Sequence, residues 1–199
     1  MASATTPDRL LEESIRVIEE GGEAAVTLRD VASACGVTTP IIYKAFGSRD
    51  GLIVAAQAER FRRVIDSIAA PFVLAVEAAT TVDELRDVID LLLAATQHES
   101  RAEFRRVQYS VLGASVSRPA LQRAVDDALR SLVDAASGAI EVARDRGLVR
   151  ADLELPEMVW WWFGQVQGRI LIEQSEAPVD GARWDRAARA ATFALLFGD

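Results

Sequence analysis

The 199-residue sequence is poor in the residues on which metal sites and disulfides depend. It contains one cysteine, Cys35, and one histidine, His98. A single cysteine excludes a disulfide within the chain, and so few Cys and His residues exclude zinc sites that need two or more such ligands. The sequence also lacks a Walker loop and a Gly-x-Gly-x-x-Gly fingerprint. We therefore expect no enzyme, no cofactor and no metal ion.

Long apolar runs are missing as well. No stretch approaches the 18 apolar residues of a membrane span, and residues 1–7 have neither the basic nor the apolar region of a secretory signal. We therefore expect a cytoplasmic protein without a membrane partner. Half of the residues are apolar, which is enough to fold a core without disulfides. The net charge of -8 disfavours a nucleic-acid partner unless positive charge is concentrated locally.

Apolar residues recur at three- and four-residue spacing, and this periodicity predicts an all-α protein of about nine helices. The first helix is expected from about Asp8, its N-cap, to Gly21-Gly22, and a second from Thr27 to Gly36. A short third helix, capped by Thr38 or Thr39, should end at Gly47. Ser48 should cap a fourth helix, which runs from Arg49 to about Ala70 and is broken at Pro71.

Five longer helices are predicted in the remainder of the chain. We place them near residues 82–98, 101–114, 118–146, 155–175 and 180–197, separated by Pro- and Gly-containing breaks, the last of them at Ala177–Gly181. The two short helices joined at Gly36 and flanked by longer ones form a helix-turn-helix pattern at about residues 27–46. The expected domains are residues 5–65, with the helix-turn-helix, and residues 73–199.

The segment from Val26 to Leu52, VTLRDVASACGVTTPIIYKAFGSRDGL, resembles the DNA-binding signature of the TetR family of bacterial transcriptional regulators. The matching positions follow one another without a gap: Thr27, Val31, Ala32, Gly36, Val37, Thr38, Tyr43, Phe46, Ser48, Arg49, Asp50 and Leu52. The resemblance implies an N-terminal three-helix DNA-binding domain joined to a helical ligand-binding and dimerisation domain.

The second helix of a helix-turn-helix enters the major groove, and residues at its N-terminus meet the base edges. We expect base and phosphate contacts from Thr38, Thr39, Pro40 and Ile41. By resemblance, Tyr43 and Lys44 hold the DNA backbone, with Arg29, Ser48 and Arg49 beside them. Lys44 is the only lysine of the chain. Many relatives have lysine where Thr39 stands and glycine where Pro40 stands, so no operator sequence carries over.

The resemblance implies that a small-molecule effector enters a pocket in the C-terminal domain. Candidate pocket residues mix aromatic walls with polar anchors: His98, Phe104, Tyr109, Trp161, Trp162, Gln165 and Arg169. Because helical residues turn by about 100°, Trp160, Trp161 and Trp162 cannot all face one way. We expect one of them to pack in the core while another lines a cavity or an interface; the alternative is that all three are core residues.

Small residues suggest where two copies meet. Gly164 and Gly168 share a helix face, and the last helix offers a matching face. In the family, dimers form through a four-helix bundle of the last two helices. The candidate interface residues are Gly164, Gly168, Ala187, Ala188, Ala191 and Leu195, although packing inside one chain would produce the same pattern.

We thus predict a DNA-binding transcriptional regulator, a homodimeric repressor that a small-molecule ligand releases from a palindromic operator in double-stranded DNA. The alternative is a protein-binding adaptor whose helix-turn-helix no longer binds DNA. An all-helical enzyme is disfavoured because carboxylates such as Asp126 and Asp127 resemble a solvated helix face.

Overall fold

A computed structural model describes residues 5–176 and 180–198, and every regular element in these ranges is helical. The predicted all-α fold is confirmed. The described residues form nine α-helices: α1 (Thr6–Gly21), α2 (Leu28–Ala34), α3 (Thr39–Phe46), α4 (Arg49–Ala78), α5 (Val82–Gln97), α6 (Ala102–Ser115), α7 (Pro119–Asp145), α8 (Leu155–Glu173) and α9 (Gly181–Phe197). Two short 3₁₀ turns, Glu23–Ala25 and Glu99–Arg101, precede α2 and α6.

Helix α1 starts earlier than predicted. Thr5 is the N-cap, and its side chain accepts a hydrogen bond from the Asp8 amide while the Asp8 carboxylate accepts one from the Thr5 amide. The expectation that Asp8 caps this helix is therefore wrong. Asp8 occupies the third helical position of a capping box, and Pro7 fits the first turn because no amide donor is needed there.

Helix α4 does not break at Pro71, contrary to the prediction, and continues to Ala78. Proline removes one amide donor from the helix, the one that would pair with the Ser67 carbonyl. Pro71 lies on the exposed side of the helix. Phe72 and Val76, which follow it, are buried in the core of the second unit. Burial of these two side chains favours the continued helix.

Capping residues and glycines explain where the helices of the first unit begin and end. The Thr27 hydroxyl accepts a hydrogen bond from the Asp30 amide at 3.1 Å, which starts α2, and the Ser48 hydroxyl accepts one from the Gly51 amide at 2.9 Å in the first turn of α4. Gly36 and Gly47 have φ angles of 65° and 75°, values that favour glycine, at the ends of α2 and α3. The predicted break at Ala177–Gly181 falls largely on residues 177–179, outside the described residues.

The chain divides into two compact units. The first consists of the residues up to Arg62 together with Val111–Val125, and the second of Arg63–Ser110 and Asp126–Asp199. The core of the first unit is formed by Leu10, Ile15, Ile18, Val26, Val31, Ala32, Ile42, Leu52, Ile53 and Ala56. The core of the second unit draws on α4, α5, α7, α8 and α9, with Phe72, Leu93, Ile140, Val159 and Phe193 among its members.

Candidate functional site

Helix α3 divides its side chains between the core of the first unit and the solvent. Ile42 is fully buried and Phe46 packs against the same core. The intervening positions point outward: Tyr43 is 52% exposed, and Ile41 and Lys44 are exposed as well. The helix is thus anchored on one side and free on the other, as a helix that reads a DNA groove must be.

The N-terminus of α3 belongs to the same exposed surface. Thr38 and Pro40 are exposed, Thr39 is half-buried, and Thr38 is the N-cap without a side-chain capping bond, which leaves its hydroxyl available. Arg29 on α2 and Ser48 before α4 are also exposed. We call the set Arg29, Thr38, Thr39, Pro40, Ile41, Tyr43, Lys44 and Ser48 the reading surface. Its charged members, Arg29 and Lys44, are both positive, although the whole chain is acidic.

Arg49 has bonds inside the first unit. Its Nε donates to the Val26 carbonyl at 2.6 Å, and its Nη2 donates to the carbonyls of Glu23 at 2.6 Å and Ala24 at 3.4 Å. The guanidinium thereby joins the start of α4 to the 3₁₀ turn before α2. A phosphate contact by Arg49, as expected from the resemblance, remains a prediction, and it would have to coexist with these bonds.

A second arginine binds a side chain of the same 3₁₀ turn. Arg118, between α6 and α7, donates two hydrogen bonds to the Glu23 carboxylate, at 2.8 and 2.7 Å, and its Nε lies 3.4 Å from Asp50. Gln57 of α4 donates to Glu23 at 2.7 Å. The Arg118 hydrogen bonds, with a smaller contribution from Gln57, hold the pKa of Glu23 below its usual value. This pair was not predicted from the sequence, because 95 positions separate Arg118 and Glu23.

We expect Arg118→Met to lower the free energy of unfolding by about 1–2 kcal/mol at neutral pH, because the bidentate pair is lost while Glu23 stays partly buried. The folded-state pKa of Glu23 is depressed, so this contribution is present above its ordinary value of 4.5 and disappears as the pH falls below that. Urea unfolding at pH 7 and at pH 3.5 measures both effects.

The control is Arg16→Met. Arg16 also binds two carboxylates, Glu13 and Glu20, but it is 53% exposed, so its loss should change stability by less than about 0.5 kcal/mol. If the two variants lose equal stability, or if the loss in Arg118→Met is the same at both pH values, our assignment of the Glu23 pair is wrong.

The second unit contains two neighbouring cavities. The one that we call the apolar cavity is lined by Phe72, Met158, Trp161 and Trp162 among others, and Thr192 is its only polar lining residue in the part of the chain that the structure describes. The polar cavity has a volume of about 110 Å³ and is open to solvent at its mouth. Its lining consists of Ser67, Ile68, Pro71, Leu92, Ala95, Thr96, Arg101, Phe104, Arg105, Gln108 and Val166. Both cavities share Ile68 and Leu92.

The predicted pocket residues are distributed unevenly over these cavities. Trp161 and Trp162 line the apolar cavity, where Trp162 lies 6.1 Å from the Phe72 ring, and Phe104 lines the polar cavity. His98, Tyr109, Gln165 and Arg169 line neither. Trp160 is 44% exposed, so the three consecutive tryptophans do not all pack in the core.

Arg169 is held by carboxylates of its own unit. Its Nε donates to Asp185 at 2.9 Å, and Glu173 lies 3.7 Å away. His98 caps the 3₁₀ turn before α6, where its Nδ1 faces the Ser100 hydroxyl at 2.9 Å. An acidic group of a ligand would therefore compete with Asp185 and Glu173 for Arg169. Their roles in ligand binding stay predictions.

A buried arginine, Arg105, was not predicted from the sequence. The side chain of Arg105 is 2% exposed and donates to both carboxylate oxygens of Glu173, and also to the carbonyls of Thr96 at 2.6 Å and His98 at 3.3 Å. One signal could have revealed it: Arg105 and Gln108 are polar residues on the face of α6 that also carries the buried Val111.

The two predicted interface glycines differ in their surroundings. A Cβ at Gly168 would lie 2.9 Å from the Trp184 ring, whereas a Cβ at Gly164 would meet nothing within 4 Å. Ala188 is buried, while Ala187 and Leu195 are exposed and Ala191 is half-buried. Gly168 and Ala188 thus serve packing within the second unit.

We expect Gly168→Ala to lower the free energy of unfolding by about 1–2 kcal/mol, because the new methyl group would displace the Trp184 ring. Gly164→Ala should instead leave stability unchanged or raise it by up to about 1 kcal/mol, since alanine favours the helix and its methyl group has open space. Thermal unfolding of both variants checks this contrast. Equal destabilisation of the two would contradict the packing described for Gly168.

No group of three His, Cys, Asp or Glu side chains in the described ranges of the chain lies in an arrangement that could hold a metal ion. Within the same ranges, none of the helices combines the length and the apolar character needed to cross a membrane. The thiol of Cys35 lies 3.4 Å from the Arg9 carbonyl, and burial raises its pKa.

Comparison with known proteins adds two findings. Residues 10–56 match the family model described as bacterial regulatory proteins, tetR family. Comparison with curated protein sequences finds no match.

Solved structures share the fold along nearly the whole chain. A protein of Mesorhizobium loti MAFF303099 assigned to the TetR-family transcriptional regulators has a TM-score of 0.71 and 16% identity, with 96% of each chain covered. The multidrug binding protein EbrR, solved with proflavin, has a TM-score of 0.62 and 22% identity, with 96% of this chain and 99% of that one covered. A protein of Saccharomonospora viridis assigned as a transcriptional regulator, solved with choline, has a TM-score of 0.63 and 19% identity, with 94% of each chain covered.

At these identities the solved structures establish the fold, and the family model establishes the N-terminal domain. Residues 10–56 form a TetR-type N-terminal domain. Beyond these residues, the chain as a whole shares its fold with solved structures of transcriptional regulators.

Proposed function

We propose that this protein is a homodimeric transcriptional repressor that binds a palindromic operator in double-stranded DNA and leaves it when a small molecule binds. Residues 5–65 would form the DNA-binding domain and residues 73–199 the ligand-binding and dimerisation domain. The observation that carries the proposal is the reading surface. Helix α3 buries Ile42 in a family-type N-terminal domain and presents Tyr43 and Lys44 to solvent beside its own exposed N-terminus.

The exposed side chains fit DNA by their chemistry. Lys44 and Tyr43 can donate to phosphate oxygens, the hydroxyl groups of Thr38 and Thr39 can bond to base edges or phosphates, and Ile41 can contact a thymine methyl group. None of the residues of the reading surface is acidic. The local surface therefore suits a phosphate backbone despite the net charge of -8.

A symmetric operator requires a symmetric dimer, and α8 and α9 carry the surface that we propose for it. On α8, Trp160, Gly164 and Leu171 follow one another at spacings that keep them on one face, and Trp160 and Leu171 are 44% and 62% exposed. On α9, Ala187 and Leu195 are exposed as well. Two copies of this pair of helices would pack as a four-helix bundle, and the two recognition helices would then reach successive major grooves about 34 Å apart.

Helix α6 offers a route from the ligand to the DNA-binding domain. It lines the polar cavity with Phe104, Arg105 and Gln108, and three residues after its end Arg118 binds Glu23 of the first unit. We propose that a ligand in the cavity shifts α6 and thereby strains the Arg118–Glu23 pair. A coupling of about 1–3 kcal/mol would change the DNA affinity about 5- to 150-fold.

The decisive experiment is a mobility shift of the purified protein on the DNA upstream of its own gene, at two salt concentrations, with a scrambled duplex as competitor. Specific retention that weakens with salt would support an operator-binding regulator. Absence of retention at low salt would contradict it and favour the protein-binding adaptor.

Lys44→Ala should weaken operator binding about 10- to 30-fold, because each protomer loses one charged phosphate contact of about 1 kcal/mol. The loss should be similar for all duplexes, and the slope of log affinity against log salt should fall by about one for each protomer. Fluorescence anisotropy over a salt series measures both.

Arg130→Ala is the matched control for Lys44→Ala. It removes the same charge from an exposed position on α7 and should leave the affinity within about twofold. If the two variants bind DNA equally well, Lys44 does not contact the phosphate backbone.

A further inference from the structure

The two cavities of the second unit offer different chemistry side by side. The apolar cavity is walled by rings and aliphatic chains, with Phe72 and Trp162 among them, whereas the polar cavity adds Arg101, Arg105 and Gln108. Ile68 and Leu92 line both. A ligand that spans both would need an apolar body and one polar end.

The charged groups that line the polar cavity have one sign. Among its described lining residues there are two guanidinium groups and no carboxylate. Arg105 is neutralised by Glu173, and two backbone carbonyls accept its remaining hydrogen bonds. Arg101 stacks over the Phe104 ring at 4.7 Å and donates to the Ser67 hydroxyl at 3.3 Å, both of which are neutral groups of the same lining. This lining favours an anion and disfavours a cation.

A buried amide donor in the same wall points to an acceptor. Gln108 is 1% exposed, and its Oε1 accepts a hydrogen bond from Gln167 Nε2 at 2.8 Å. Gln108 Nε2 and Gln167 Oε1 are buried without a partner among the described residues. The donor belongs to Gln108 in this orientation of the two amides, and exchanging the nitrogen and oxygen positions of both would transfer the unpartnered donor to Gln167. Such groups are rare in native proteins because burial deprives them of water.

We propose that the effector is an amphiphilic anion whose carboxylate or similar acidic oxygen group binds Arg101 and Gln108 in the polar cavity and whose hydrocarbon body packs against Ile68 and Leu92, the apolar residues between the two cavities. A carboxylate supplies the acceptor that the buried amide lacks and the negative charge that the lining lacks. This inference names the ligand class of the regulator proposed above. Its test measures ligand binding without DNA.

The test uses three probes with the same ten-carbon tail: decanoate, decyltrimethylammonium and decanol. Titration calorimetry on the full chain, below the micelle concentration of each probe, should give one decanoate per protomer. Decanoate should bind at least about tenfold more tightly than either other probe. Its binding should also change the fluorescence of Trp161 and Trp162, which line the apolar cavity. Equal or tighter binding of the ammonium probe, or binding of none of the three, overturns the proposal.

Variants locate the head group. Arg101→Met should lower the decanoate affinity about tenfold or more and leave the decanol affinity within about threefold. Gln108→Met should also weaken decanoate binding; because it removes the acceptor of Gln167 Nε2 as well, the melting temperature of the ligand-free variant is measured beside it. Arg106→Met, on the exposed face of the same helix, is the charge-matched control and should bind decanoate normally.

Failure of this inference can be told apart from failure of the proposed function. A protein that retains its operator but shows no preference for decanoate overturns the ligand class alone. A protein that prefers decanoate but retains no DNA supports the ligand class and contradicts the regulator. If Arg101→Met and Arg106→Met lose the same affinity, Arg101 does not bind the head group.

Discussion

Arg105→Met should lower the free energy of unfolding by about 3–5 kcal/mol, more than we expect from any other single change considered for this chain. The Arg105 side chain is 2% exposed and holds both oxygens of Glu173 as well as the carbonyls of Thr96 and His98. Methionine fills the space of the aliphatic stem but leaves the Glu173 charge and two carbonyls without their donor. Breaking a buried pair on one side has a cost of this size because the remaining charge loses its hydrogen bonds, and Arg169, 3.7 Å from Glu173, replaces them only in part.

Urea unfolding of three variants would measure the effect. Arg106→Met is the control, since Arg106 is the next residue on α6 but pairs with Glu103 at the exposed surface, and it should cost less than about 1 kcal/mol. Arg105→Met combined with Glu173→Met should recover part of the stability, because no unpaired charge remains. A loss under about 1 kcal/mol in the single variant would show that Arg105 is not the centre of a buried network.

Gly164→Arg should convert the proposed dimer into a monomer and lower operator affinity by about 100-fold or more. Gly164 lies between Trp160 and Leu171 on the exposed face of α8, and a side chain there meets nothing within its own chain. An arginine would instead place a charge in the centre of the proposed helix bundle. Monomers bind each half of a symmetric operator separately, so the gain from simultaneous binding is lost.

Sedimentation equilibrium gives the oligomeric state, and anisotropy on the operator gives the affinity. Gly138→Arg makes the same change at another exposed glycine, on α7, with open space around its Cβ, so it should remain dimeric. Thermal unfolding should show that the secondary structure of both variants is retained. A dimeric Gly164→Arg protein would exclude this face of α8 from the interface.

The helix boundaries were largely predictable because the residues that end helices act locally. Thr27 and Ser48 cap the helices that they were expected to cap, and Gly47 ends α3 as expected. The predicted break at Pro71 was wrong because the helix is continued by the burial of Phe72 and Val76, which local sequence rules do not reveal. Asp8 was misplaced by three positions because Thr5 competes for the same role and wins by forming a capping box.

The side-chain partners were predictable only where one helix supplies them. The exposed positions of α3 follow from helical periodicity, so the reading surface could be anticipated from the sequence. The bonds of Arg49 to the 3₁₀ turn join residues 23 to 26 positions apart, and the polar cavity assembles residues of α4, α5, α6 and α8. Such long-range arrangements depend on how the helices pack, and the spacing of apolar residues along the sequence does not show which helices pack together.

The pair between Arg118 and Glu23 also bears on the order in which the protein folds. The first unit is discontinuous: its N-terminal part ends at Arg62, and its completing segment, Val111–Val125, follows 48 residues later. During synthesis the N-terminal helices emerge from the ribosome well before the segment that carries Arg118. Closing so long a loop is slow and entropically costly. The N-terminal helices can therefore bury their apolar core, Leu10 to Ala56, before the Arg118–Glu23 pair forms, and that pair is added once α6 and the start of α7 have been made.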